Sequence, residues 1–262
     1  MLLVLAGCGG DDESDSGSGG SEDAGAVYAE AVRGLDEIKS GKLDAKLDTV
    51  LRLGNEQTIK VAEKATFAGE GGTSLPQFEL TINVDQTGGE SQETQAVNTG
   101  DSFYVRDNGS TEFKDQGQQA VQALKSTYTR EQGELEEGRI PLLSLTPSDW
   151  AKSPKIDGTA DFGGVSVQKI VAEVDVPAFL KDLETGKNSD IGMGVTLTQG
   201  ARELLEPGAD VDKAELVALV GEEDGRLRRL TATVDGNVAG GVQVDFDVQL
   251  TELDEPQDIT AP

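Results

Sequence analysis

The sequence predicts an α+β protein built on one antiparallel sheet of about eleven short strands, with two or three helices inserted. Three observations carry this. Apolar and polar residues alternate with a period of two over 42–53, 76–86 and 242–252. Successive strands are mostly separated by segments too short for a crossover, which forces antiparallel pairing. Helical spacing is confined to a few stretches between them. One sheet face is apolar and the other wet, so the sheet must curl around something or be covered. A strongly curved sheet with helices on its concave side meets that need. A two-layer sandwich meets it equally, and periodicity alone does not separate the two.

The elements follow in order. Residues 24–39 place Val27, Ala31, Leu35 and Ile38 at helical spacing, with Gly41 as the expected stop. The period then changes: Leu43, Ala45, Leu47, Thr49, Leu51 and Leu53 alternate with Lys42, Asp44, Lys46, Asp48 and Arg52, predicting a half-buried strand. Asn55 and Glu56 turn the chain into 58–69. Phe78, Leu80, Ile82 and Val84 mark the next strand, Gly88 and Gly89 its turn, and 92–99 and Phe103-Tyr104-Val105 two more. Asp107-Asn108-Gly109 reads as a hairpin turn; Asn108-Gly109-Ser110 also spells a glycosylation sequon, but the turn accounts for it. Helices are expected at 115–132, at 147–152 with Trp150, and after Asp175 and Pro177. Strands are expected at 155–162, 165–174, 214–222, 226–235 and 242–252. The Gly-rich stretch 186–212 gives no clear pattern beyond one helical turn near Arg202–Leu205.

Composition excludes several functions. The 262 residues carry 22 basic and 49 acidic side chains, a formal charge of −27. A nucleic-acid binder needs a basic field, so no nucleic-acid partner is expected. With no histidine and one cysteine, Cys8, no zinc, copper or haem site and no disulfide are expected. Asp11-Asp12-Glu13-Ser14-Asp15 lacks the spaced ligands of a calcium loop, and neither a metal nor a cofactor is expected. Without histidine or a Gly-x-Ser-x-Gly turn, no catalytic constellation stands out; with so many carboxylates, close pairs carry no information. The chain reads as a non-enzyme.

The N-terminus says where the protein lives. Leu2 to Gly7 are apolar or small, and Leu5-Ala6-Gly7-Cys8 matches a bacterial lipobox: an apolar export segment, small residues before the cut, and a thiol to receive a diacylglycerol. The apolar segment is shorter than an ordinary signal and lacks a basic stretch, so the true translation start is expected upstream. Residues 9–25 hold six acids and no base among Gly and Ser, the composition of a disordered tether. The expected organisation is a signal remnant and acylated Cys8 over 1–8, a tether over 9–25, and a single domain over 26–262. The expected location is the cell membrane on its extracytoplasmic side, where two or more acyl chains give stable anchoring.

Taken together, several features resemble the LppX/LprAFG family of actinobacterial lipoproteins, whose fold is like that of the LolA/LolB carriers. They are the lipobox, the opening helix, the 42–53 strand, Gly100-Asp101-Ser102-Phe103-Tyr104-Val105, Trp150 before Pro154-Lys155-Ile156-Asp157-Gly158, Gly163-Gly164-Val165, and the ending Ile259-Thr260-Ala261-Pro262. Order and spacing carry the resemblance, since no one motif is specific. It implies a strongly curved antiparallel half-barrel of about eleven strands with helices covering the concave side. It further implies an apolar cavity that holds the acyl chains of a lipid or glycolipid in transit across the envelope. Apart from the resemblance, an envelope transporter is the expected further partner and a monomer the expected state, though no motif encodes either. The candidate cavity walls are Leu47, Leu51, Phe78, Leu80, Ile82, Val97, Phe103, Val105, Phe246, Val248 and Leu250. The same side chains could instead form a dry core, the default use of an apolar strand face. The rival function is a non-transporting sensor or interaction scaffold on the same fold.

Overall fold

In a computed structural model, residues 20–53, 55–70, 75–134, 138–140, 142–143, 145–186, 209–237 and 241–262 are described. Cys8, the signal remnant, most of the tether and the expected helical turn near Arg202–Leu205 lie outside them. The described chain opens with α1 (Gly20–Arg33), so Gly20–Gly25, read as tether, are helical. A 3-10 turn, Gly34–Glu37, ends the helix. Gly41 is therefore not its stop. It lies inside β1 (Ser40–Leu53), where a Cβ would stand 3.1 Å from the Thr251 carbonyl oxygen.

There follow β2 (Asn55–Ala68), β3 (Gln77–Gln86), β4 (Gln92–Asn98), β5 (Phe103–Arg106) and the short β6 (Lys114–Asp115). The Asp107-Asn108-Gly109 turn forms as expected: Ser110 N–H donates to the Asp107 carbonyl at 3.0 Å, and Gly109 takes φ 75°. Then come α2 (Gly117–Glu134), β7 (Ala151–Phe162), β8 (Val165–Val174), α3 (Val176–Gly186), β9 (Val211–Gly221), β10 (Leu227–Gly236) and β11 (Val242–Thr251). The helix expected over 147–152 is only a 3-10 turn, Pro147–Asp149; Ala151 already belongs to β7. Pro147 can start such a turn but the strand partner Val174 captures Ala151 before the turn can extend.

All eleven strands form one open antiparallel sheet, in the order β6-β5-β4-β3-β2-β1-β11-β10-β9-β8-β7. The curved, unclosed half-barrel thus replaces the sandwich alternative. The order has a simple origin. The chain meanders outward from β1 to β6, crosses to the far edge, and meanders back from β7 to β11, which then pairs with β1. Register Leu43↔Leu250, Leu47↔Phe246 and Leu51↔Val242 puts the apolar sets of both central strands on one face. That face is concave, and the helices lie against it: Tyr28, Ala31, Val32 and Leu35 of the opening helical segment, Leu124 of α2, and Phe179, Leu180 and Leu183 of α3 join its core. The crossing segment is pinned by Asp36, whose carboxylate accepts from Gly138 N–H at 2.6 Å and Arg139 N–H at 3.0 Å. Gly138 is needed there: its φ is 89° and a Cβ would fall 2.8 Å from the Val32 carbonyl.

The convex face carries the charges. Arg229 on β10 grips Asp247 on β11 with two hydrogen bonds, at 2.9 and 3.0 Å, and Lys64 lies 3.5 Å from Asp44. Such exposed pairs contribute little stability, about 0–1 kcal/mol each. Their role is to keep one side of the sheet wet, so that burial favours a single direction of curl.

Candidate functional site

The concave face divides into two regions. Over β1, β11, β10 and β9 it is filled. Trp150 stacks edge-on against Phe179 of α3 at 4.9 Å and against Phe246 of β11 at 5.4 Å, and all three rings are almost wholly shut from solvent. Asp182 of α3 fastens this cluster. One of its oxygens accepts from Trp150 Nε1–H at 3.0 Å and from Thr146 N–H at 2.7 Å. Burial nevertheless pushes its carboxyl up to about 6, against the pull of those hydrogen bonds. From α1, the Tyr28 hydroxyl donates to the Pro147 carbonyl at 2.6 Å, holding the same turn from the other side. Desolvation drives that phenol well above its ordinary range, as expected of a buried donor.

Over β2 to β5 the face is less covered. Its inward series, fixed by the register Phe67↔Phe78, Ala65↔Leu80, Glu63↔Ile82 and Val61↔Val84, runs from well buried at Phe67 and Phe78 to half-buried at Val61, Ile82 and Val84. Phe103 and Val105 of β5 continue it, half-buried, with Phe103 edge-on to Phe78 at 6.5 Å. The described cover here is α2, which packs against β5 and contributes Leu124 and Tyr128. The Tyr128 hydroxyl is pushed up to about 12, chiefly by desolvation.

The sequence-derived wall residues separate accordingly. Leu47, Leu51, Phe246, Val248 and Leu250 lie at the filled, central part, and Phe78 and Leu80 at the buried end of β3. Ile82, Phe103 and Val105 lie on the less covered part. Val97 must be corrected. Pairing of Leu80 with Ala96 and of Glu79 with Val97 puts Ala96 on the concave face and Val97 on the convex one. Val97 is still buried, because Phe113 and the C-terminal Thr260 and Pro262 stand with it around a convex cleft of about 650 Å³.

Several residues of this face were not among the sequence-derived candidates: Val61, Glu63, Ala65 and Phe67 of β2, Val84 of β3 and Ala96 of β4. A signal for them existed. Ile59, Val61, Glu63, Ala65 and Phe67 alternate with polar residues, so the acid occupies an inward position of an apolar series. Glu63 is fully buried, neither carboxyl oxygen has a hydrogen-bond partner among the described residues, and desolvation raises its carboxyl to about 8.

This defines the class: an open, curved antiparallel half-barrel with one apolar concave face, part packed and part only half-covered. Among solved structures, LprF from Mycobacterium bovis is similar to this chain at 13% identity and a TM-score of 0.50, covering 93% of this chain and 98% of that one. LppX, a lipoprotein from Mycobacterium tuberculosis, matches at 10% identity and a TM-score of 0.38, covering 91% and 99%. A LolA superfamily protein from Nitrosomonas europaea matches at 7% and 0.23, covering 89% and 94%. The likeness to LprF shows a shared fold; the other two superpose too loosely to add to it. No protein-family model and no curated protein matches the chain.

Proposed function

We propose that this protein is an envelope lipoprotein, anchored by acylated Cys8, that binds the acyl chains of a lipid or glycolipid and carries them across the envelope as a monomer, exchanging them with an envelope transporter. The observation that carries this reading is the half-covered apolar surface of Val61, Ile82, Val84, Phe103 and Val105, beside a core that is otherwise tightly packed. Moving an acyl chain through water exposes CH₂ groups at about 0.8 kcal/mol each, so a carrier must offer aliphatic area in exchange. These walls supply area without fixed hydrogen-bond geometry, which suits flexible chains. The fold shared with LprF and the lipobox Leu5-Ala6-Gly7-Cys8 support the same reading.

The second reading, a scaffold that carries nothing, is favoured by the dense Trp150–Phe179–Phe246 packing, which closes the middle of the bowl. Native mass spectrometry of the protein purified from its own host separates the two. A carrier co-purifies with lipid whose mass is lost on delipidation. Repeated isolation of lipid-free protein favours the scaffold.

A further inference from the structure

One side chain on the concave face is left unexplained by a purely apolar surface. Glu63 projects from the middle of β2, opposite Ala45 on β1 and Ile82 on β3. Along its own strand, Val61 and Ala65 share its face. It is 0% exposed, and neither carboxyl oxygen has a hydrogen-bond partner among the described residues. Buried polar groups in folded proteins are nearly always satisfied, and one that is not calls for an explanation. Desolvation raises its carboxyl to about 8, so in neutral solution it is mainly the uncharged acid, able both to accept and to donate. An uncharged acid with no countercharge is a poor site for a phosphate or carboxylate headgroup. Its neighbours Val61 and Ile82 are only half-buried.

We propose that Glu63 is the polar anchor for a neutral lipid bearing a hydroxyl group. The lipid's chains lie over Val61 and Ile82, and its hydroxyl exchanges hydrogen bonds with the Glu63 carboxyl. This rests on the acyl-binding reading above and adds to it a selectivity, for lipid alcohols over lipids of equal length without a donor. A hydroxyl on a glycerol and one on an acyl chain offer the same chemistry to the acid.

The test uses delipidated full-length protein and two probes, oleyl alcohol and methyl oleyl ether, each competing with a fluorescent long-chain probe. The wild type is expected to prefer the alcohol about fivefold to tenfold, the worth of one buried hydrogen bond. Glu63→Leu is expected still to bind the ether and to lose the preference; Glu63→Gln, which still accepts and donates, is expected to keep it. Dioleoylglycerol against its O-methyl ether then reports whether a glycerol hydroxyl reaches the anchor as well as a chain-end one. Equal binding of alcohol and ether by the wild type, or a preference surviving in Glu63→Leu, would overturn the anchor while leaving acyl binding intact. Failure of every probe to bind would remove the acyl-binding reading and the anchor with it. Should Glu63→Leu not fold, infrared spectroscopy of the wild type decides: the protonated carboxyl stretch must shift further with the alcohol, which donates and accepts, than with the ether, which only accepts, and an equal shift overturns the anchor.

Discussion

Asp182 and Glu63 are both carboxyls raised by burial, and they differ in what they touch. Asp182 moves from an ordinary 3.8 to about 6 while holding Trp150 and Thr146. Glu63 moves from 4.5 to about 8 with no hydrogen-bond partner among the described residues. In each case the folded state binds its proton more tightly than the unfolded chain. Their effect on stability is therefore absent at low pH and grows as a penalty while pH rises through the interval between the two values. Unfolding by urea is expected to show stability falling from about pH 4.5 toward pH 8, and Glu63→Gln is expected to flatten the part of that decline above pH 6. An unchanged slope in the variant would mean Glu63 is not buried as described. Asp182→Ala makes a different prediction. It strands two partly buried donors, Trp150 Nε1–H and Thr146 N–H, and should cost about 1–3 kcal/mol, measured by the same denaturation.

At the scale of elements, the two regions of the concave face should respond oppositely to substitution. Phe246 is gripped by Trp150 and Phe179, so Phe246→Ala leaves a cavity in packed surroundings and should cost about 3–5 kcal/mol. Ile82→Ser removes area from a half-covered strand and should cost under about 1.5 kcal/mol while weakening retention of co-purified lipid. Calorimetry and lipid extraction on the two variants check this pair: lipid loss confined to Phe246→Ala would contradict the assignment of the β2–β5 face. The edge strand β7 shows how the sheet ends. Ser153 takes φ 49°, and register shifts fall at Lys152/Lys155 and Ile156/Thr159, so the strand is irregular and mostly exposed. Irregularity and lysines at an edge discourage pairing with another chain. The strands themselves were largely legible in the sequence, because strict alternation over Leu43–Leu53 or Val242–Leu250 has one consistent inward set. Val97 was not legible. Ala96 and Val97 are adjacent apolar residues in a strand with polar residues elsewhere inward, and only the register with β3 says which of them faces the bowl.

For the molecule as a whole, the charge of −27 and the proposed anchor act together. Replacing Cys8 by Ser is expected to move the protein from the membrane to the soluble fraction of its host on fractionation. Neutralising the acids of residues 11–23 is expected to bring the domain nearer an anionic bilayer, read by energy transfer from a label on the domain; an unchanged distance would remove charge repulsion as the spacer. The amino-acid sequence alone determined the alternation of most strands, the turns between them, the face each regular strand turns inward, and the acid at position 63, because these follow from neighbours two residues apart. What only the tertiary structure decided is which strands meet and how deeply they are covered. Leu47 beside Phe246, Asp36 holding Gly138, and Trp150 wedged between Phe179 and Phe246 join residues tens to hundreds of positions apart. Local periodicity assigns a side chain to a face, whereas the depth of burial on that face depends on distant segments packing over it.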